Sequence, residues 1–146
     1  MEKRHRFRYL PHTAEIKFKA YGNNFSSAIE SAAAAMLNVM LDIKKIERSN
    51  AIAGKISIVE RASTREELVW YTLQDILSKV DEKTLNAYEF KVLRIKEGKS
   101  DINLKGVLLF RKVKEDFHLL EVKAVTPSEL SVKEGSRWSI SVILDV

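Results

Sequence analysis

From Tyr88 onward the chain alternates apolar and polar residues almost without a break, in runs near 88–96, 102–112, 118–125, 129–133 and 137–145. A period of two sends successive side chains to opposite faces, so these runs predict strands with one buried face each. The word Lys-Glu-Gly closes two of them, at 96–98 and 133–135, where a glycine of positive φ is expected to turn a hairpin. Upstream the period changes. Asn24 is an expected N-cap, and Phe25, Ala28, Ile29, Ala32, Met36, Val39 and Met40 recur at helical spacing. Ser63-Thr64-Arg65-Glu66 fits a capping box and opens a second helix with Leu68, Val69, Leu73, Ile76, Leu77 and Val80 on one side. Residues 42–53 read as a polar connection and 54–60 as a strand, and two further strands precede the first helix, at about 5–9 and 14–21. Helices early and hairpin-linked strands late define an α+β class: two helices packed on one face of a mostly antiparallel β-sheet, mixed pairing remaining open.

A chain of 146 residues without linkers or composition breaks is read as one domain, 1–146. It has no cysteine, which excludes disulfides, thiolate zinc sites and cysteine nucleophiles and points to the cytoplasm. No apolar run approaches the roughly 18 residues of a membrane span, and the basic start MEKRHRFRYL lacks the apolar stretch of a signal peptide. Nucleotide-loop and hydrolase-elbow motifs are missing as well. The net charge is +5, which suits nucleic acid or an acidic partner. Arg4, Arg6 and Arg8 fall on one side of the first strand and, with Lys17 and Lys19, could face phosphates. An RNA-binding module is therefore one reading, and charged edge strands that guard against sheet aggregation are an equal one.

Chemistry concentrates at two places. His12-Thr13-Ala14-Glu15 interrupts the entry to the second strand, and the sequence closes in Arg137-Trp138-Ser139-Ile140-Ser141-Val142-Ile143-Leu144-Asp145-Val146. Asp145 lies on the side of the last strand opposite Trp138, Ile140, Val142 and Leu144, and Val146 adds a main-chain carboxylate. On the residues alone, Glu15 and Asp145 read most simply as solvated strand ends. Placed together, two carboxylates about 4 Å apart repel by about 4 kcal/mol at an effective dielectric of 20. Only a proton, a basic side chain or a cation holds such a cluster. Trp138 belongs to the apolar face and reads as a packing residue.

His12-Thr13-Ala14-Glu15-Ile16, Ala20-Tyr21-Gly22, Glu121-Val122-Lys123-Ala124-Val125-Thr126 and Val142-Ile143-Leu144-Asp145-Val146, in that order, resemble the archease family. The resemblance runs from Tyr9 to Val146. It implies a protein cofactor and not an enzyme: an activator of the GTP- and manganese-dependent tRNA-splicing RNA ligase that promotes guanylylation of the ligase's active-site histidine and its multiple turnover. A chaperone or modulator of a tRNA-modifying enzyme is the alternative. By resemblance, Glu15, Asp145 and Val146 form a divalent-metal site, with calcium the best match and magnesium or manganese the others. His12 and Lys123 stand beside it as supporting or partner-contacting residues. The partner implied is the ligase, with tRNA reached through it. Glu15 stands where the family usually has Asp, which adds one methylene, about 1.5 Å of reach. Calcium's flexible shell accommodates that better than magnesium's octahedron. Pro127 and Ser128 likewise replace an aromatic residue and a histidine.

Overall fold

Helix α1 (Phe25–Met40) begins as its sequence predicts, with the Asn24 side chain accepting a hydrogen bond from Ser27 N at 2.8 Å. Its burial exceeds one stripe. Ser31, Ala33, Ala35 and Leu37 are buried along with Ala28, Ile29, Ala32, Met36 and Met40. A helix buried on most sides needs neighbours on two flanks, and the computed structural model, which describes residues 5–12 and 14–146, supplies them. On one flank is a four-stranded sheet in the order β1 (Arg6–Leu10), β2 (Ile16–Gly22), β7 (Trp138–Asp145), β6 (Ala124–Lys133). On the other is a three-stranded sheet in the order β3 (Ala53–Ala62), β5 (Ile102–Arg111), β4 (Asn86–Glu97). Helix α3 (Arg65–Lys83) shares the middle layer and touches β3 and β5 on one side and β6 on the other.

Every strand pair is antiparallel, and the α+β reading holds. Each sheet keeps its helices on one face. The strands, however, divide between two sheets with the helices between them, an arrangement that local periodicity does not encode. A third, short helix, α2 (Ile43–Arg48), lies in the stretch read as a connection. Asp42 caps it by accepting from Lys45 N, and Ile46 is its single buried residue, too little to write a period.

Three local readings are corrected. The N-cap of α3 is Thr64, not Ser63, so the box closes between Thr64 and Glu67, whose N–H donates to Thr64 Oγ1 at 3.1 Å. No glycine has positive φ among the described residues. Gly98 and Gly135 sit in loops longer than two residues, where hairpins do not require it. Residues 118–123 form no strand. They are pinned to the end of α1 by a bridge between Leu41 and His118 and by Leu119 N donating to Met40 O at 2.7 Å. Only Ala124 and Val125 of the 118–125 run join 129–133 in one strand, β6, with a bulge between Thr126 and Ser131. Pro127, which has no N–H for a ladder, falls inside that bulge.

The two Lys-Glu-Gly turns share more than a hairpin. Glu97 and Glu134, one from each, both accept from Arg65 at the start of α3. Its Nε and Nη2 reach Glu97 at 2.9 and 3.2 Å, and Nη1 reaches Glu134 at 3.0 Å. The guanidinium lies 4.9 Å from the ring centre of Trp138, which stacks on Phe25. Trp138 is thus a packing residue, as its strand face predicts.

Helix α3 also meets β3 through a pair of carboxyls. Burial pushes Glu60 up to about 8, and its hydrogen bond to Asp75 adds to the rise. Burial acts to raise Asp75 too, but hydrogen bonds from Glu60 and from Lys79, at 2.6 Å, outweigh it and hold Asp75 below the usual carboxylate range. Glu60 therefore carries the shared proton. Because its folded value lies above its unfolded value of 4.5, the stabilisation is complete below pH 4.5 and is lost as pH rises through about 8. Glu60→Gln keeps a donor to Asp75 without a titrating proton. Thermal unfolding at pH 5 and pH 9 is expected to show a smaller fall for this variant than for the parent chain, and equal falls would remove the pair from the account.

Candidate functional site

The residues singled out in the sequence collect at one end of the four-stranded sheet. Strand β2 starts there, β7 ends there, and β6 starts beside it. Ile16, the first residue of β2, pairs with Leu144, so Glu15 and Asp145 are the residues that follow where this ladder ends. Asp145 pairs in turn with Ala124, and Lys123 N donates to Asp145 O at 2.7 Å. The ladder thus brings the segment before Ile16 and the segment after Leu144 to the same sheet end.

The turn into β2 is bent by Ala14, whose φ of 59° is uncommon for a residue with a Cβ. Thr13 lies outside the described residues. Past this bend His12 faces back on the strand entry, with Nδ1 3.3 Å from Glu15 Oε1 and Nε2 3.9 Å from Glu129 Oε2. Glu129 also meets Lys17 Nζ at 3.5 Å. Glu15 is a third exposed, Asp145 and Lys123 are exposed, and Val146 packs its side chain against the core. Beside Glu15 opens a cleft of about 540 Å³ whose wall includes Tyr9, Pro11, His12, Glu15, Val39 and Leu120. Tyr9 spans it and donates to Ala35 O at 2.9 Å, and burial pushes its phenol up to about 12.

His12 and Glu15 are therefore brought together, and Lys123 meets Asp145 through its backbone. Among the described residues no three His, Asp or Glu side chains lie close enough to enclose a metal ion. Carboxylate oxygens suit hard divalent cations. Glu15 and Asp145 offer oxygens of that type, and by themselves they fall short of the 6–8 oxygens that calcium takes.

Several contributors have no sequence signal of their own. Trp70 Nε1 donates to Val125 O, and Gln74 Oε1 accepts from Val125 N, both at 2.7 Å. The two grip the start of β6 from α3 and so fix the strand that begins at Ala124, directly after Lys123. Glu129 reaches Lys17 and His12 only because the β6 bulge places it at a φ of 61°. A Pro-Ser pair inside a strand-like run is the one hint of that bulge. Of the basic residues, Arg6, Arg8, Lys17 and Lys19 do share the outer face of the four-stranded sheet, whereas Arg4 lies outside the described residues.

Two antiparallel sheets around a helical layer, with the motif residues at three adjoining strand ends, define the class, and the comparisons agree with it. The Archease protein family matches residues 7–146. Protein archease of Methanosarcina acetivorans is 31% identical over 144 residues, covering 97% of this chain and 96% of its own. The solution structure of protein 1598 of Methanobacterium thermoautotrophicum superposes with a TM-score of 0.76 at 28% identity, covering 96% of this chain and 98% of its own. A Thermotoga maritima crystal structure, described as an archease and possible chaperone, has the same fold at a TM-score of 0.58 and 19% identity, covering 94% of each chain. The chain belongs to the archease family.

Proposed function

We propose that this protein is an accessory factor, not an enzyme, that acts in the cytoplasm on the GTP- and manganese-dependent tRNA-splicing RNA ligase. It promotes guanylylation of the ligase's active-site histidine and sustains multiple turnover. The observation that carries the reading is the gathering of the His12–Glu15, Lys123–Ala124 and Asp145–Val146 segments at one sheet end. The description of the Thermotoga protein as a possible chaperone supports action on a protein partner. The cleft beside Glu15 supports it too, with exposed Tyr9 and Leu120 in its wall.

Glu15, Asp145 and the Val146 carboxylate would hold a divalent ion, calcium before magnesium or manganese, with the partner supplying the remaining oxygens. Such an ion would neutralise the carboxylates at the docking end. His12 orients Glu15 through its 3.3 Å contact, and Lys123 contributes positive charge beside Asp145.

The test compares single- and multiple-turnover ligation by the cognate ligase with and without the protein, alongside the guanylylated fraction of the ligase. Faster guanylylation and repeated turnover are expected. Asp145→Ala is expected to slow guanylylation by about tenfold or more, equivalent to at least about 1.4 kcal/mol. An unchanged guanylylation rate with the parent protein would overturn the role. Full activation by the variant would leave the role standing and discard this site.

A further inference from the structure

The outer face of the three-stranded sheet carries a cluster of cations. Register places Lys91 beside Val107 and Ser57, Arg94 beside Lys105 and Val59, and Lys96 beside Asn103 and Arg61. Lys55 stands one row beyond, opposite Leu109. Lys55, Lys91, Arg94, Lys96 and Lys105 are all exposed, and none of the five is in an ion pair with another described residue. Arg61 is matched by Asp101 at the rim.

The acids of these strands lie off the cation cluster. Glu60 bonds Asp75 on the helix side and Glu97 turns to Arg65, while Glu89 closes the Lys55–Leu109 row at the far end of the same face and is buried near His5. Ordinary soluble surfaces intersperse the two signs. The four-stranded sheet does so, since Glu129 pairs Lys17 there and Asp145 shares its outer face.

A bulge sets the phase of this basic face. Between Val92 and Arg94 the β4 ladder takes in Leu93 as an extra residue. Without it, strict alternation after Lys91 would turn Leu93 and Ile95 outward and send Arg94 and Lys96 toward the helices. With it, Val92 and Ile95 pack against the core while Arg94 and Lys96 fall in line with Lys91. Glu30 anchors the kink by accepting from Val92 N at 2.8 Å. A shallow cleft of about 360 Å³ runs between the cations, lined by Val59, Arg94, Lys96, Asn103, Leu104 and Lys105.

We infer that this face docks the phosphate backbone of a double-helical RNA. The five cations stand on neighbouring strands about 4.8 Å apart, a flat array suited to a row of phosphates. No aromatic side chain is presented among them, so base stacking, which single-strand binders use, has no platform here. Binding to a duplex through shape and phosphates does not need one. The inference is independent of the ligase-activating reading, because the face belongs to the other sheet and its test involves no ligase.

The test measures binding of the full chain to an RNA duplex of about 16 base pairs across salt concentrations, the span of a typical duplex-binding module. A slope of log K against log salt of about −4.5 is expected, close to −0.9 for each phosphate met by the five cations. The quadruple variant K91Q/R94Q/K96Q/K105Q should flatten the slope to about −1. All four side chains are exposed, and unchanged thermal unfolding checks that the variant folds. R6Q/R8Q, on the other sheet, should leave the slope in place. Loss of binding with R6Q/R8Q and not with the quadruple variant would overturn the inference. So would tighter binding to a single strand of the same length, equal binding to poly-glutamate, or no measurable duplex binding at low salt.

Discussion

Phe18→Ala is expected to lower the unfolding free energy by about 3–5 kcal/mol, measured by urea denaturation. Phe18 is fully buried on β2, an inner strand of the four-stranded sheet, and packs toward α1 with the Tyr9 ring edge-on at 6.5 Å. The cavity left by the ring cannot readily close. The strand is held on both edges by β1 and β7, and α1 is held from behind by the second sheet. Typical domains are stable by only about 5–15 kcal/mol, so the loss takes a large share of the total. Phe18→Leu, which keeps most of the volume, should cost less than about 1.5 kcal/mol. If the alanine variant lost no more than the leucine variant, the helical layer would have to be free to move onto the sheet.

Gly22→Ala is expected to cost about 3 kcal/mol, the upper end of overpacking. Gly22 lies at the end of β2, and its sequence setting before Asn23 and Asn24 suggests a turn glycine. Its φ is not positive, however, and the reason for glycine is proximity. A Cβ there would press on the backbone of the first turn of α1, against Ala28 N and within 2.6 Å of Ser27 C. Backbone in a capped helix cannot swing aside as a flexible side chain can. Gly135→Ala is the matching control, since its Cβ would meet only Arg137 O at 3.5 Å, an ordinary contact. Such a surface change is expected to stay within about 0.5 kcal/mol. Equal effects at the two glycines, read from denaturation midpoints, would refute the close-approach explanation.

The sequence writes local features well and partition between layers poorly. Asn24, the period of α1 and the alternation of β5 and β7 are each legible because each depends on neighbours a few residues away. Ala33 and Leu37 were not legible as core positions, because they face a second sheet whose existence no single helix records. Residues 118–123 have strand-like composition without a strand to pair with, and they were misread for that reason. At the candidate site, His12, Glu15 and Asp145 could be picked out as an odd polar cluster and a carboxylate at a strand end. What brings Glu15 and Asp145 to one sheet end is the β2–β7 ladder, which in the sequence only the family resemblance implies. Glu129 was beyond reach, since only the bulge and its left-handed backbone carry it to Lys17 and His12.

Arg65 joins the β4–β5 turn, the β6–β7 turn and the start of the middle helix through one planar group. A lysine offers a point charge on a flexible stem and would not reproduce the two-pronged grip on Glu97. Residues that share a partner are energetically coupled. The two Lys-Glu-Gly turns, far apart in the chain, therefore form one unit of inheritance: drift at Glu97 changes what is tolerated at Glu134 and Trp138. The carboxylate end of the four-stranded sheet lies opposite this knot, at the other end of β7. Variation there can follow the needs of a partner without loosening the joint that holds the layers together.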